Sequence, residues 1–232
     1  MSRYIFDIEC DNFLAKVKKL HSLVLLDVDT GEMHSFAFND TPRHATDVPK
    51  MMELMEKADE LIGHNVIAFD IPVLQKLYPG FQPTGRITDT LVLSRLIHSD
   101  MKTEDAPRLA AKTISPKLYG RHSLEAWGER LGLPKGDYQG GFAVWSQEMQ
   151  EYCEQDVRVT KKLLDYLKPD EYSPKAIQIE HEMTELCSDM EVEGWPFTFP
   201  LPSNSTENLQ ESGMPSSSNS TLSLNLGKSL TE

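Results

Sequence analysis

Composition changes abruptly after Phe197. Of the 35 residues from Thr198 to Glu232, 17 are Ser, Thr or Asn; aromatics vanish after Phe199, and Pro200 and Pro202 punctuate the start. Such a stretch cannot bury enough apolar surface to offset its chain entropy, which predicts a disordered tail over 198–232 and confines fold and chemistry to residues 1–197. Fewer than 200 residues support one domain with a core of moderate size and exclude a large multidomain machine. Hydrophobic residues at 39% and charged residues at 25% lie in the globular range. No apolar run approaches the roughly 20 residues that a bilayer span needs, and Met1 to Phe6 meets Asp7 before a secretory apolar region can form. The expectation is a cytoplasmic protein with no membrane partner.

The formal net charge of −13 does not suit a protein that grips a long duplex by counterion release. The acidity is uneven, however: Lys102 to Arg121 carries Lys102, Arg108, Lys112, Lys117 and Arg121 against Glu104 and Asp105, a local +3. By itself this reads as a solvated loop. Cys10, Cys153 and Cys187 form no CxxC pair and are odd in number, which argues against a disulfide framework and a thiolate zinc site.

Arg3 to Cys10 is rich in β-branched and aromatic residues and predicts a strand; Leu23 to Val28 predicts a second. Turn chemistry at Asp29-Thr30-Gly31-Glu32 and an extended run from Met33 to Phe38 complete a small antiparallel meander. Helical spacing follows over Asp47–Ala58, then a short buried strand over Leu61–His64. Asp70, placed as a cap, and Pro72 open a helix to about Tyr78, before Pro79-Gly80. Ile87–Thr90 reads as a brief strand and Leu91–His98 as a helix. Three more helices are expected: His122–Leu131 closed by Gly132, one from Ser146 to about Leu167, and one from Ser173-Pro174 to near Gly194. The fold class is α/β, a mixed central sheet flanked by helices.

If Arg3–Cys10 is a strand, Asp7 and Glu9 project from one face about 7 Å apart while Tyr4, Phe6 and Ile8 enter the core on the other. Two adjacent carboxylates repel and call for a cation, although the pair alone fits an edge strand with a wet acidic face. Asn65-Val66-Ile67-Ala68-Phe69-Asp70 brings a further carboxylate to the mouth of a helix, where Asp70 alone would read as a cap. Tyr152 and Asp156 are i, i+4 on the late helix, on one face a turn apart. Four carboxylates spread in this way, with a tyrosine one turn before the last, fit oxygen ligation of hard divalent cations such as Mg²⁺ or Mn²⁺. Two such ions activate water and stabilise the leaving oxygen of a phosphodiester.

Phe6-Asp7-Ile8-Glu9, Asn65-x-x-x-Phe69-Asp70 and Tyr152-x-x-x-Asp156 resemble the three exonuclease motifs of the DEDD superfamily, in the DEDDy subtype marked by the tyrosine. Asp89-Thr90-Leu91-Val92-Leu93-Ser94-Arg95-Leu96-Ile97-His98-Ser99, His122-Ser123-Leu124-Glu125-Ala126-Trp127-Gly128 and Gly194-Trp195-Pro196-Phe197 narrow the likeness. They resemble the proofreading domain of the family A DNA polymerases of short-tailed phages, over about residues 3–197. The resemblance implies a ribonuclease H-like fold, two Mg²⁺ or Mn²⁺ ions, and a 3′-to-5′ exonuclease that releases nucleoside 5′-monophosphates from single-stranded DNA 3′ ends. It implies that Asp7, Glu9 and Asp156 hold one metal, that Asp7 bridges to the second, that Asp70 supports the second partly through water, and that Tyr152 positions the nucleophile. Asn65 and Phe69 fall in the second motif, where the terminal nucleotide is placed. Asp89 is either a support behind this site or a helix cap.

In the family the Gly-aromatic-Pro-Phe segment leads into a polymerase, whereas here it meets the Ser/Asn-rich stretch. The expectation is a stand-alone nuclease or one that works with a separate polymerase in trans. Two other readings stay open: an RNA-directed exonuclease, and a non-catalytic module that binds a polymerase or host factor. Retention of all four carboxylates and Tyr152 argues against the module. His64 and His122 read as hydrogen-bonded structural residues, and Trp127, Trp145 and Trp195 as packing residues; Cys10 and Cys153 adjoin the motifs. Beside a nuclease site, Lys102–Arg121 reads also as a wall that guides single-stranded phosphates.

Overall fold

β1 (Arg3–Cys10) lies in the middle of a five-stranded sheet of order β3-β2-β1-β4-β5. The computed structural model describes residues 1–39, 44–134, 136 and 138–194. β2 (Leu20–Asp27) pairs antiparallel with β1 and with β3 (Met33–Ala37), which is the meander expected from the Asp29–Glu32 turn. β4 (Glu60–Gly63) and β5 (Arg86–Asp89) continue the other side in parallel, so the sheet is mixed. Around it lie α1 (His44–Glu56), α2 (Asp70–Leu77), α3 (Thr90–Ile97), α4 (Met101–Ala110), α5 (Leu124–Arg130), α6 (Gln147–Leu167) and α7 (Pro174–Glu193). The fold is ribonuclease H-like α/β.

Alternation along β1 feeds two cores. Tyr4, Phe6 and Ile8 join Leu23 and Leu25 of β2, Met51 and Met55 of α1, and Val73 and Leu74 of α2. Ile5 faces the other way and joins Val24, Ile62, Leu93, Trp127 and, from α6, Val157, Leu163 and Leu164. The face that carries Asp7 and Glu9 is therefore covered, with Ile5 fully buried, and the edge-strand reading of the acidic pair does not hold. Met1–Thr184 forms one unit. Glu185–Glu193, the last part of α7, belongs to a second unit and exposes Leu186, Met190 and Val192. The stretch 198–232 and Trp195–Phe197 lie outside the described residues. Among the described residues no helix is long and apolar enough to cross a membrane.

Two local expectations are corrected. Lys102–Arg121 is a loop only in part: Asp100 accepts from the Thr103 N–H and starts α4, which takes up Lys102–Ala110, and in the irregular stretch that follows Ile114 and Leu118 pack against Ala126. The buried Asp105 holds Arg130 of α5 at 2.6 Å and accepts from the Gly120 N–H. Asp105 is the buried charge of the segment, while Lys102, Lys112, Lys117 and Arg121 are exposed, as the solvated reading expects. Second, Asp70 does not cap its helix. Phe69 occupies the cap position without a side-chain bond, and Asp70 is the first helical residue, 5% exposed. Its carboxylate still benefits from the positive end of the helix dipole.

Gly63, at the end of β4, meets a tight return of the chain: a Cβ there would lie 2.1 Å from Val66 Cγ1 and 3.0 Å from the Phe6 carbonyl oxygen. Val66 is stiff and buried, so neither neighbour yields freely. Gly63→Ala should lower stability by about 1–3 kcal/mol, read as a reduced urea midpoint; an unchanged midpoint would contradict this packing. His122 donates from Nδ1 to Ser94 Oγ at 3.1 Å, since that hydroxyl already donates to the Leu91 carbonyl. Burial, then the charges of Arg130 and Arg95, holds its imidazole down at about 4. The unfolded chain thus binds the extra proton first as pH falls from about 6.5 to about 4, and stability declines over that window. His122→Gln should flatten that part of a melting-temperature versus pH curve.

Candidate active site

Two helical turns and two strand ends build the site. α6 begins at Ser146, whose hydroxyl accepts from the Met149 N–H, and crosses the sheet over β1 and β2. Its apolar stripe of Met149, Cys153, Val157, Val159, Leu163 and Leu164 is buried. Cys153 acts as a peg: its thiol donates to the Asp7 backbone carbonyl at 3.3 Å. Three residues on, Asp156 faces the same strand and is 2% exposed. One ligand oxygen from each of Asp7, Glu9 and Asp156 lies within 4.8 Å of the others, a carboxylate triad joining residues 149 positions apart. The register between β1 and β2 shifts between Glu9 and Cys10, so a bulge ends regular pairing just past the second carboxylate.

The Cys153 thiol reports the density of negative charge. Burial and then the charges of Asp7, Glu9 and Asp156 push it well above its ordinary value, so it is a neutral packing group and not a reactive thiolate. On the other face of β1, Cys10 is pushed up to about 11 by burial, with Asp70, Glu9 and Asp11 adding to the effect. Asp70 thus lies near enough to feel the same end of β1, while standing outside the three-carboxylate group.

The second motif leaves β4 in a sharp turn. Asn65 is exposed and takes a left-handed φ of 66°, a conformation that asparagine tolerates better than most residues. The Phe69 N–H donates to the Asn65 carbonyl and the Ile71 N–H to the Val66 carbonyl, winding the loop into α2 and Asp70. Phe69 is half-buried against the core below. Asp89, at the end of β5, secures this turn: its carboxylate accepts from Asn65 N–H at 2.8 Å, Ile67 N–H at 3.2 Å and Leu91 N–H at 2.9 Å. It is both the cap of α3 and a brace on the loop. Burial outweighs these three donors and raises its carboxyl above the ordinary range. His64 Nδ1 donates to Thr90 Oγ1, which in turn donates to the Gly63 carbonyl.

Tyr152 lies one turn before Asp156, partly exposed, on the wall of an open cleft of about 720 Å³. Tyr138, Gly140, Trp145 and Gln155 contribute to the same wall, and the Tyr138 ring packs 5.7 Å from that of Tyr152. His21 of β2 bonds the Phe142 carbonyl at 3.0 Å and anchors this loop to the sheet. Two participants had no readable signal in sequence, Tyr138 beside Tyr152 and His181 of α7, while Cys153 adjoins the tyrosine motif without any mark of its role as the peg. The His181 Nε2 accepts from the Asp89 N–H at 2.9 Å. A histidine within an acidic helix carries no spacing that marks such a partner.

Comparison with known proteins agrees with this architecture. The sequence pattern of the RNase_H superfamily matches residues 4–168. The DNA-directed DNA polymerase of Enterobacteria phage T3 is 33% identical over 235 residues, covering 83% of this chain, and that of Escherichia phage T7 is 32% identical over the same share. The chain spans about a third of the length of either polymerase. Brucella melitensis NrnC with bound Mg²⁺ has the same fold, with a TM-score of 0.57 at 18% identity over 88% of this chain and 92% of that one. The resemblance to the exonuclease part of phage DNA polymerases is thus borne out, and the chain belongs to the RNase_H superfamily, as a nuclease related to those polymerases.

Proposed function

We propose that the chain is a metal-dependent 3′-to-5′ exonuclease that shortens single-stranded DNA from its 3′ end and releases nucleoside 5′-monophosphates. The observation that carries this reading is the carboxylate triad of Asp7, Glu9 and Asp156, brought within 4.8 Å beneath α6 with Tyr152 one turn away. The donor set fits Mg²⁺ or Mn²⁺: it is all oxygen, anionic and part-buried, with no thiolate or imidazole in the group. Asp7, Glu9 and Asp156 would hold one ion, and Asp7 with Asp70 a second. Such ions, when bound, supply Lewis-acid activation of a water and charge stabilisation at the leaving oxygen.

The chain's own side chains do the rest. Tyr152, at the cleft wall, accepts or donates one hydrogen bond to the attacking water and fixes its approach. Asn65, exposed on its left-handed turn, and Phe69 behind it hold the terminal nucleotide against Asp70. We take residues 1–197 as this exonuclease domain, and DNA 3′ ends of the kind a polymerase leaves are its natural substrate.

The purified protein with Mg²⁺ should shorten a single-stranded DNA one nucleotide at a time, and EDTA should stop it. Equal or faster cleavage of RNA of the same sequence would transfer the activity to the RNA reading. Asp7→Ala should slow cleavage by about 10³-fold or more, the cost of several kcal/mol of lost transition-state stabilisation, while the metal-free protein stays folded. Undiminished cleavage by that variant rejects the assignment. Tyr152→Phe should cost about 10- to 100-fold in kcat with little change in KM, because it removes orientation and not binding. Melting temperature should rise with the logarithm of Mn²⁺ concentration in the wild type and stay flat in Asp7→Ala.

A further inference from the structure

β5 is an edge strand, and the last N–H of an edge strand usually faces water or a neighbouring chain. Here the Asp89 N–H is instead closed by a side chain from α7, 92 residues away: His181 Nε2 accepts from it at 2.9 Å. The tautomer follows from the second contact. His181 Nδ1 lies 2.8 Å from the Ile177 carbonyl, which only accepts, so Nδ1 carries the proton and Nε2 presents its lone pair to Asp89. Both residues are buried, Asp89 at 1% and His181 at 8% exposure.

Capping α3 needs only the bond from Leu91 N–H. Two of the three donors on the Asp89 carboxylate come from elsewhere, Asn65 and Ile67, across 24 and 22 residues. They pin both ends of the left-handed turn at Asn65, and the following bonds, Phe69 N–H to Asn65 carbonyl and Ile71 N–H to Val66 carbonyl, run straight into Asp70. Any rotation of the Asn65 turn therefore moves the Asp70 carboxylate.

We propose that Asp89 and His181 are positioning residues of the nuclease site: His181 fixes Asp89 from α7, and Asp89 fixes the Asn65–Phe69 turn that places Asn65 and Asp70. This rests on the exonuclease reading for its kinetics, though not for its geometry. The clamp makes α7 part of the active-site support, and it acts through a neutral imidazole whose Nε2 must remain an acceptor.

The test compares His181→Leu, which removes the acceptor, with His181→Gln, whose side-chain carbonyl restores one, and with Asp89→Asn, whose NH₂ group must oppose at least one of the three backbone N–H donors. Each is assayed well below its own melting temperature on single-stranded DNA with Mn²⁺, and amide hydrogen exchange is followed in parallel. In His181→Leu and Asp89→Asn, kcat should fall about 10- to 100-fold with KM within about threefold, since a displaced support misaligns groups without removing them. Exchange at the Asn65 and Ile67 amides should quicken by at least about tenfold, and the Mn²⁺ concentration for half-maximal activity should rise. His181→Gln should recover kcat to within about threefold of wild type. If Asp89→Asn does not fold, the two His181 variants decide. A folded His181→Leu protein with wild-type kcat, or a loss that His181→Gln does not recover, overturns the clamp. A wild-type chain that cleaves no DNA defeats the exonuclease reading instead, and the clamp is then judged by exchange at Asn65 and Ile67 alone, where equal protection in wild type and His181→Leu refutes it.

Discussion

Asp7 and Glu9 sit on the central strand of the sheet, on the face covered by a helix that brings a third carboxylate. Three anionic groups within 4.8 Å of one another repel strongly once water is partly excluded, so this arrangement opposes folding unless a cation or other favourable contacts offset it. The offset is visible on both sides. Ile5, Val24 and Ile62 weld the same face to Val157, Leu163 and Leu164, and Tyr4, Phe6 and Ile8 anchor the strand from beneath. At about 25 cal/mol per Å² of apolar surface, two such cores outweigh the repulsion that one acidic cluster introduces. The bond from the Cys153 thiol to the Asp7 carbonyl then sets where along β1 the helix comes to rest.

The same strand explains why distant motifs meet. β1, β4 and β5 run parallel, so their C-terminal ends open on one edge of the sheet. Asp7 and Glu9 lie toward that end of β1, the Asn65–Asp70 turn follows directly from β4, and Asp89 closes β5. β2, antiparallel to β1, brings its start rather than its end to the same edge, and His21 there holds the Phe142 segment near the Tyr152 cleft. A mixed sheet thus gathers five separate chain segments at one edge, where a parallel sheet alone would contribute only strand ends.

Much of this was legible in the sequence because period-2 and i, i+4 patterns survive without neighbours. The alternation of Tyr4, Phe6 and Ile8 with Asp7 and Glu9 is local information, as are the Asp29–Glu32 turn, the Ser146 cap and the Tyr152–Asp156 spacing. What stayed hidden depends on partners far along the chain. Asp105 reads as part of a solvated stretch because nothing nearby in sequence shows that Arg130, 25 residues on, buries with it. Asp70 reads as a cap because Asp is the ordinary cap, whereas the loop before it is already secured through Asp89. The covered state of the Asp7 face was equally out of reach, since the residues that cover it belong to α6, some 150 positions later.

Asp89 shows why local and distant roles need not compete. One oxygen serves the α3 N-terminus and Asn65 together, and the other serves Ile67, so a residue with an adequate local explanation also holds a turn that sequence places in another motif. A carboxylate has about four lone-pair sites, and a cap uses one of them. The unused capacity is what lets a buried strand-end aspartate carry long-range information at no added desolvation cost: the penalty for removing the charge from water is incurred once, and each further N–H reduces it. Buried caps with spare acceptor sites are therefore the places to look for supports of a site assembled from separate motifs, and in this chain the capped helix, the braced turn and the Asp70 carboxylate all lead back to that single side chain.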